Sequence, residues 1–81
     1  MKNVEQWKSK DFYLSSVLLA SGITLLNLEK TNQGFMFFVF DITPDKAESI
    51  ISSHWSKTLA LPTRDLIESI SQLRTRLKSG I

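Results

Sequence analysis

Side-chain catalysis needs a nucleophile, a base and a group that orients the base, all within hydrogen-bond reach. This sequence offers little of that material. It has one histidine, His54, and no cysteine, and the carboxylates Asp11, Glu29, Asp41, Asp45, Glu48, Asp65 and Glu68 are scattered along the chain. Asp11, Asp45 and Asp65 fall where helices should start, and a carboxylate there complements the helix dipole. His54 stands beside Trp55, where a helix should end. No spacing assigns a catalytic residue, and no set of ligands has the spacing of a metal site. The glycines Gly22, Gly34 and Gly80 are isolated, each explained by a turn or a helix end, so no phosphate-cradling loop is present. The expectation is a protein that is not an enzyme and holds no metal or cofactor.

Binding chemistry has more to work with. The formal charge is +2, too small to imply a nucleic-acid partner unless the charges cluster. Arg74, Arg76 and Lys78 do cluster, at what should be a helix C-terminus where cations also complement the dipole. The run Gln33-Gly34-Phe35-Met36-Phe37-Phe38-Val39-Phe40 is similar to the aromatic strand motif of RNA-recognition domains. It departs from that motif at Gln33, Met36 and Phe38, where a basic, a small and a branched aliphatic residue are usual. A looser nucleic-acid reading uses Lys30, Arg74, Arg76 and Lys78 as phosphate contacts with Phe35 and Phe37 as a stacking platform. A helix-turn-helix is not expected, because the connector from Ser56 to Pro62 is longer than that motif's turn.

The elements that must position these residues follow from pattern and punctuation. Leu14, Val17 and Leu18 follow the i, i+3, i+4 rule between a cap at Ser9 or Asp11 and a stop at Gly22, which predicts a helix over Asp11 to Ser21. Phe12, Tyr13, Leu19 and Ala20 widen its apolar stripe, so it should touch neighbours on more than one side. Ile23 to Thr31 and Phe35 to Ile42 are rich in branched and aromatic residues and flank Asn32-Gln33-Gly34, a hairpin signature. Thr43, Pro44 and Asp45 start a second helix that runs to about Trp55. Leu59 to Leu61 offers a short third strand. From Thr63, read as another cap, Leu66, Ile70, Leu73 and Leu77 mark a third, strongly amphipathic helix with Gly80 beyond its end. The fold class is therefore α+β, in the order α-β-β-α-(short β)-α, with residues 1–10 as an N-terminal arm pinned by Trp7 and residues 11–81 as one domain.

The hairpin register carries the functional expectation. A left-handed Gly34 closes a three-residue loop and pairs Thr31 with Phe35. Counting outward, Leu28 faces Phe38 and Leu26 faces Phe40 on the core side, with Lys30 opposite Met36 at the rim. The other side then presents Leu25, Asn27 and Glu29 against Phe35, Phe37 and Val39. Contiguous apolar strips of this kind are seldom left open. Either the second helix or the arm folds over this one, or Phe35, Phe37 and Val39, bordered by Asn27 and Glu29, form an interface. The interface reading predicts a homodimer, or a host or cellular protein partner.

The run Lys10-Asp11-Phe12-Tyr13-Leu14, with Leu18-Leu19-Ala20-Ser21-Gly22, Phe38-Val39-Phe40-Asp41 and Thr43-Pro44, resembles a family of small bacterial and phage proteins catalogued as a domain of unknown function. That resemblance implies an intracellular bacterial or mobile-element setting and assigns no residue a role. Composition agrees with a cytoplasmic globular chain: 42% of the 81 residues are hydrophobic and 22% charged. Early charges such as Lys8 and Asp11 interrupt any secretory pattern, and no apolar run reaches the roughly 20 residues of a membrane span, so no membrane association is expected.

Overall fold

A computed structural model describes residues 6–79 and contains β1 (Trp7–Ser9), α1 (Phe12–Ala20), β2 (Leu25–Lys30), β3 (Met36–Phe40), α2 (Pro44–Trp55) and α3 (Thr63–Ser79). The ends of α1 show how sequence sets its limits. The Asp11 carboxylate accepts the Leu14 N–H at 2.9 Å, satisfying one of the donors that a helix start leaves free. At the other end Gly22 takes φ +93°. Its N–H donates to the Leu19 carbonyl and that of Ile23 to the Leu18 carbonyl, the paired closure of a Schellman motif. Helix α2 starts as expected, with the Thr43 hydroxyl accepting the Lys46 N–H and Pro44 in the first turn.

The third helix differs in one detail. Thr63 is its first helical residue and not its cap, and the Leu66 N–H donates to the Pro62 carbonyl. Pro62 offers no side-chain acceptor, so the turn closes on backbone alone. Gly80, the expected stop, lies outside the described residues.

The three strands form an antiparallel sheet in the order β1-β3-β2. The Thr31 N–H donates to the Phe35 carbonyl at 2.9 Å across a loop in which Gly34 takes φ +89°. Leu28 pairs with Phe38 and Lys30 with Met36, as the turn geometry requires. Toward the far end the pairing slips: Leu25, not Leu26, lies opposite Phe40, with an irregularity between Leu25 and Asn27. This is a β-bulge, where one extra residue in β2 shifts the side chains that follow. It puts both Leu25 and Leu28 on the core side and leaves Leu26 37% exposed. Both the placement of Leu26 in the core and of Leu25 outside it are thereby corrected.

The third strand comes from Trp7–Ser9 and pairs with β3 through Trp7 with Phe40, Lys8 with Val39 and Ser9 with Phe38. Leu59 to Leu61 form no strand. Part of the expected arm is thus built into the sheet, while residues 1–5 lie outside the described region.

All three helices pack on one side of the sheet. Leu18 of α1, Ala47 of α2 and Leu73 of α3 share a buried cluster with Phe38, Phe40 and Ile42, joined at its edge by Trp7, Leu25, Leu28 and Ile50. Helix α1 is the central piece, since Ser15, Ser16, Val17 and Leu18 are all buried. Four consecutive residues at 3.6 per turn sweep most of a helix circumference, which matches packing against α3, α2 and β1 together. The radius of gyration, 12.7 Å, is close to the ~12 Å of one compact body of this length.

Candidate functional site

Strand alternation divides β3 between two environments. Phe38 and Phe40 point into the helical layer, while Val39, Phe37 and, beyond the strand's start, Phe35 point to the other side of the sheet. Neither α2 nor Trp7 lies there among the described residues, and the arm reaches over this face only through the side chains of Lys8 and Lys10. Ile50 and Ala47 of α2 and Trp7 of the arm all belong to the core cluster on the helical side.

The candidate interface residues Phe35, Phe37, Val39, Asn27 and Glu29 therefore share one face. Asn27 sits opposite Val39 and Glu29 opposite Phe37. Lys8, paired with Val39 from the other edge, reaches over the central strand, and its Nζ meets Glu29 Oε1 at 2.9 Å. The two side chains are 45% and 41% exposed, so the pair is a solvent-facing bridge whose methylene stems can lie on apolar surface. Val39 beneath this row is fully buried, which removes it from the accessible strip. Phe37 is half-buried and stands edge-on to Phe35, with centroids 5.7 Å apart. Phe35 is 39% exposed, and Lys10 Nζ lies 4.9 Å from its ring centroid, within the range of a cation–π contact. The face is thus an aromatic pair with a polar frame of Lys8, Lys10, Asn27 and Glu29.

Sequence reasoning missed Lys8 and Lys10 because the arm showed no period. A signal existed: Lys8 and Lys10 alternate with Trp7 and Ser9, which is strand parity.

The second candidate set is split by the structure. Lys30 sits at the hairpin tip opposite Met36, on the rim of the helical side. Arg74 lies over the ring of Phe12 at 5.7 Å, and Phe12 in turn packs near Phe38 at 6.3 Å. Arg74 and Lys78 line an open groove of about 240 Å³ along α3 with Ile67, Ile70, Ser71 and Thr75. Arg76 is half-buried and does not line that groove. On another flank of α3, Asp65 and Glu68 line a second groove with Leu19, Ala20, Gly22, Ser69 and Gln72. Charge on this helix is therefore sorted by side as well as by end.

His54 is half-buried and edge-on to Trp55 at 5.0 Å. Among the described residues no hydrogen bond or ion pair joins it to a carboxylate, and no group of three or more His, Cys, Asp or Glu residues converges on a point. No described helix is long and apolar enough to cross a membrane. Compared with protein-family models, curated proteins and solved structures, the chain shows no match to any of the three.

Proposed function

We propose that this chain is a small, non-enzymatic interaction module that docks a protein partner on the helix-free face of its sheet, in the first place a second copy of itself. The observation that carries this reading is the position of Phe35 and Phe37, an aromatic pair on the sheet face opposite all three helices. Aromatic residues set in a polar frame are the composition of interface centres.

The sheet edges favour docking on the face over extension of the sheet. Strand β1 is only three residues long, and β2 carries its bulge at the other edge. Short and bulged edges are poor templates for adding a strand. A face-to-face contact has no such obstacle. A cytoplasmic setting, and a host protein as a further partner, follow from the resemblance to bacterial and phage proteins.

Sedimentation velocity from low to high micromolar concentration tests the proposal. Self-association that is abolished by Phe37→Asp, with the circular dichroism spectrum unchanged, is the expected result. A chain that stays monomeric throughout, and from which Phe37→Asp removes no captured partner, overturns it.

A further inference from the structure

The groove on α3 has a chemistry of its own. Its lining residues, Ile67, Ile70, Ser71, Arg74, Thr75 and Lys78, include two cations and two hydroxyls and no carboxylate. The nearest acids on the same helix, Asp65 and Glu68, line the groove on another flank. Glu68 is also engaged by Arg64 Nε at 3.0 Å. Arg74, which lines the groove, also rests on the Phe12 ring, and Phe12 contacts Tyr13 edge-on at 5.2 Å. Tyr13 is 64% exposed, so a flat aromatic surface stands one ring away from the guanidinium.

We propose that this groove is a track for single-stranded nucleic acid, in which Arg74 and Lys78 hold backbone phosphates and Tyr13 stacks a base. Guanidinium and ammonium groups beside Ser71 and Thr75 hydroxyls supply the charge-assisted donors that phosphate oxygens accept. Every base has a π-face, so an exposed ring beside a cationic groove binds without reading sequence. A paired base has both faces stacked within its helix, which favours a single strand over a duplex. The groove runs from Ile67 to Lys78, about 16 Å at 1.5 Å per residue, room for a few nucleotides. This site is separate from the sheet face and stands whether or not Phe37 makes an interface.

Fluorescence anisotropy with labelled oligo(dT), oligo(U) and a DNA duplex tests it. Two phosphate contacts at a slope of about 0.7 each predict single-strand affinity falling roughly sevenfold between 50 and 200 mM salt. Lys78→Glu should weaken binding and flatten that slope. Tyr13→Ala should weaken it at least about fivefold with the slope unchanged, and Tyr13→Trp should restore it. Lys46→Glu, the same charge change at a residue outside the groove, should leave binding within twofold. The proposal is overturned by an absence of single-strand binding, by equal loss with Lys46→Glu, or by binding that ignores Tyr13 and is displaced as well by polyglutamate, which would mark an acidic protein segment as the occupant.

Discussion

Ser15 and Ser16 are adjacent, both fully buried in α1, and differ in one respect. Ser16 Oγ donates to the Phe12 carbonyl at 3.0 Å, whereas Ser15 Oγ is buried with no partner among the described residues. An unpaired buried hydroxyl costs ~1–3 kcal/mol, and alanine exceeds serine in helix propensity by a few tenths more. Removing one oxygen atom leaves only a small void to set against this. Ser15→Ala should therefore stabilise the fold by about 1–2 kcal/mol. For a chain of this length that raises Tm by roughly 4–16 °C. Ser16→Ala, which gives up a made hydrogen bond and gains the same propensity, should stay within about 0.5 kcal/mol of the parent. Urea unfolding followed by far-ultraviolet circular dichroism and by Trp7 and Trp55 fluorescence measures both variants at constant m-value. If Ser15→Ala is neutral or destabilising, or matches Ser16→Ala, the Ser15 hydroxyl is satisfied in solution and the reasoning fails. Ser15→Thr is a further check, because an added methyl at a closed position should destabilise by about 1–3 kcal/mol.

Three further outcomes follow from single contacts. Lys57 closes α2 in the left-handed region at φ +65°, with its N–H on the His54 carbonyl and the Thr58 N–H on the Ser53 carbonyl. Since an L side chain pays ~1–2 kcal/mol there and glycine returns part of that as unfolded-state entropy, Lys57→Gly should stabilise by about 0.5–1 kcal/mol in a urea melt. Asp11→Ala removes the α1 cap and should cost about 0.5–2 kcal/mol, while Asp11→Asn should recover most of it. Phe37→Asp should leave Tm within a few degrees because Phe37 stands on the sheet face away from the core cluster and takes no part in it. A collapse of the fold in its melting curve would instead make Phe37 a structural residue.

The three helices and the hairpin were legible because each is fixed by local chemistry: Asp11 and Thr43 as caps, Gly22 and Gly34 at positive φ, and the four-three-four spacing of α3. What escaped is what tertiary pairing decides. Strand β1 has three residues, too few for a period-two pattern to rise above chance. It exists because β3 offers a free edge once the hairpin has formed. The bulge was hidden for a related reason. Leu25, Leu26 and Leu28 are equally apolar, so composition cannot say which of them the core will take, and the slip is settled by the fit of Leu25 beside Phe40. The sharing of one face by Asn27, Glu29, Phe35, Phe37 and Val39 was legible from register alone. The Lys8–Glu29 bridge over Val39 was not, since it needs β1 in place.

That bridge limits what kind of interface the sheet face forms. A half-exposed ion pair contributes at most about 1 kcal/mol to folding, but this one lies across the central strand above the buried Val39. The apolar contact left to a partner is the 39% of Phe35 that is open, the exposed part of Phe37, and the 37% of Leu26 that the bulge leaves open. A fully buried aromatic removes some 150–250 Å² from water, and a standard interface needs ~800 Å² on each side. The aromatic pair supplies a centre and not the bulk of such an area, so any dimer must draw in the frame of Lys8, Lys10, Asn27 and Glu29. Wet, polar contacts of that kind belong to small, transient assemblies. The self-association expected here is accordingly micromolar or weaker, with half-lives too short for a separate dimer peak in size exclusion. Glu29→Lys, which sets a third cation beside Lys8 and Lys10, should abolish it as fully as Phe37→Asp. A nanomolar dimer indifferent to Glu29→Lys would place the contact on another surface.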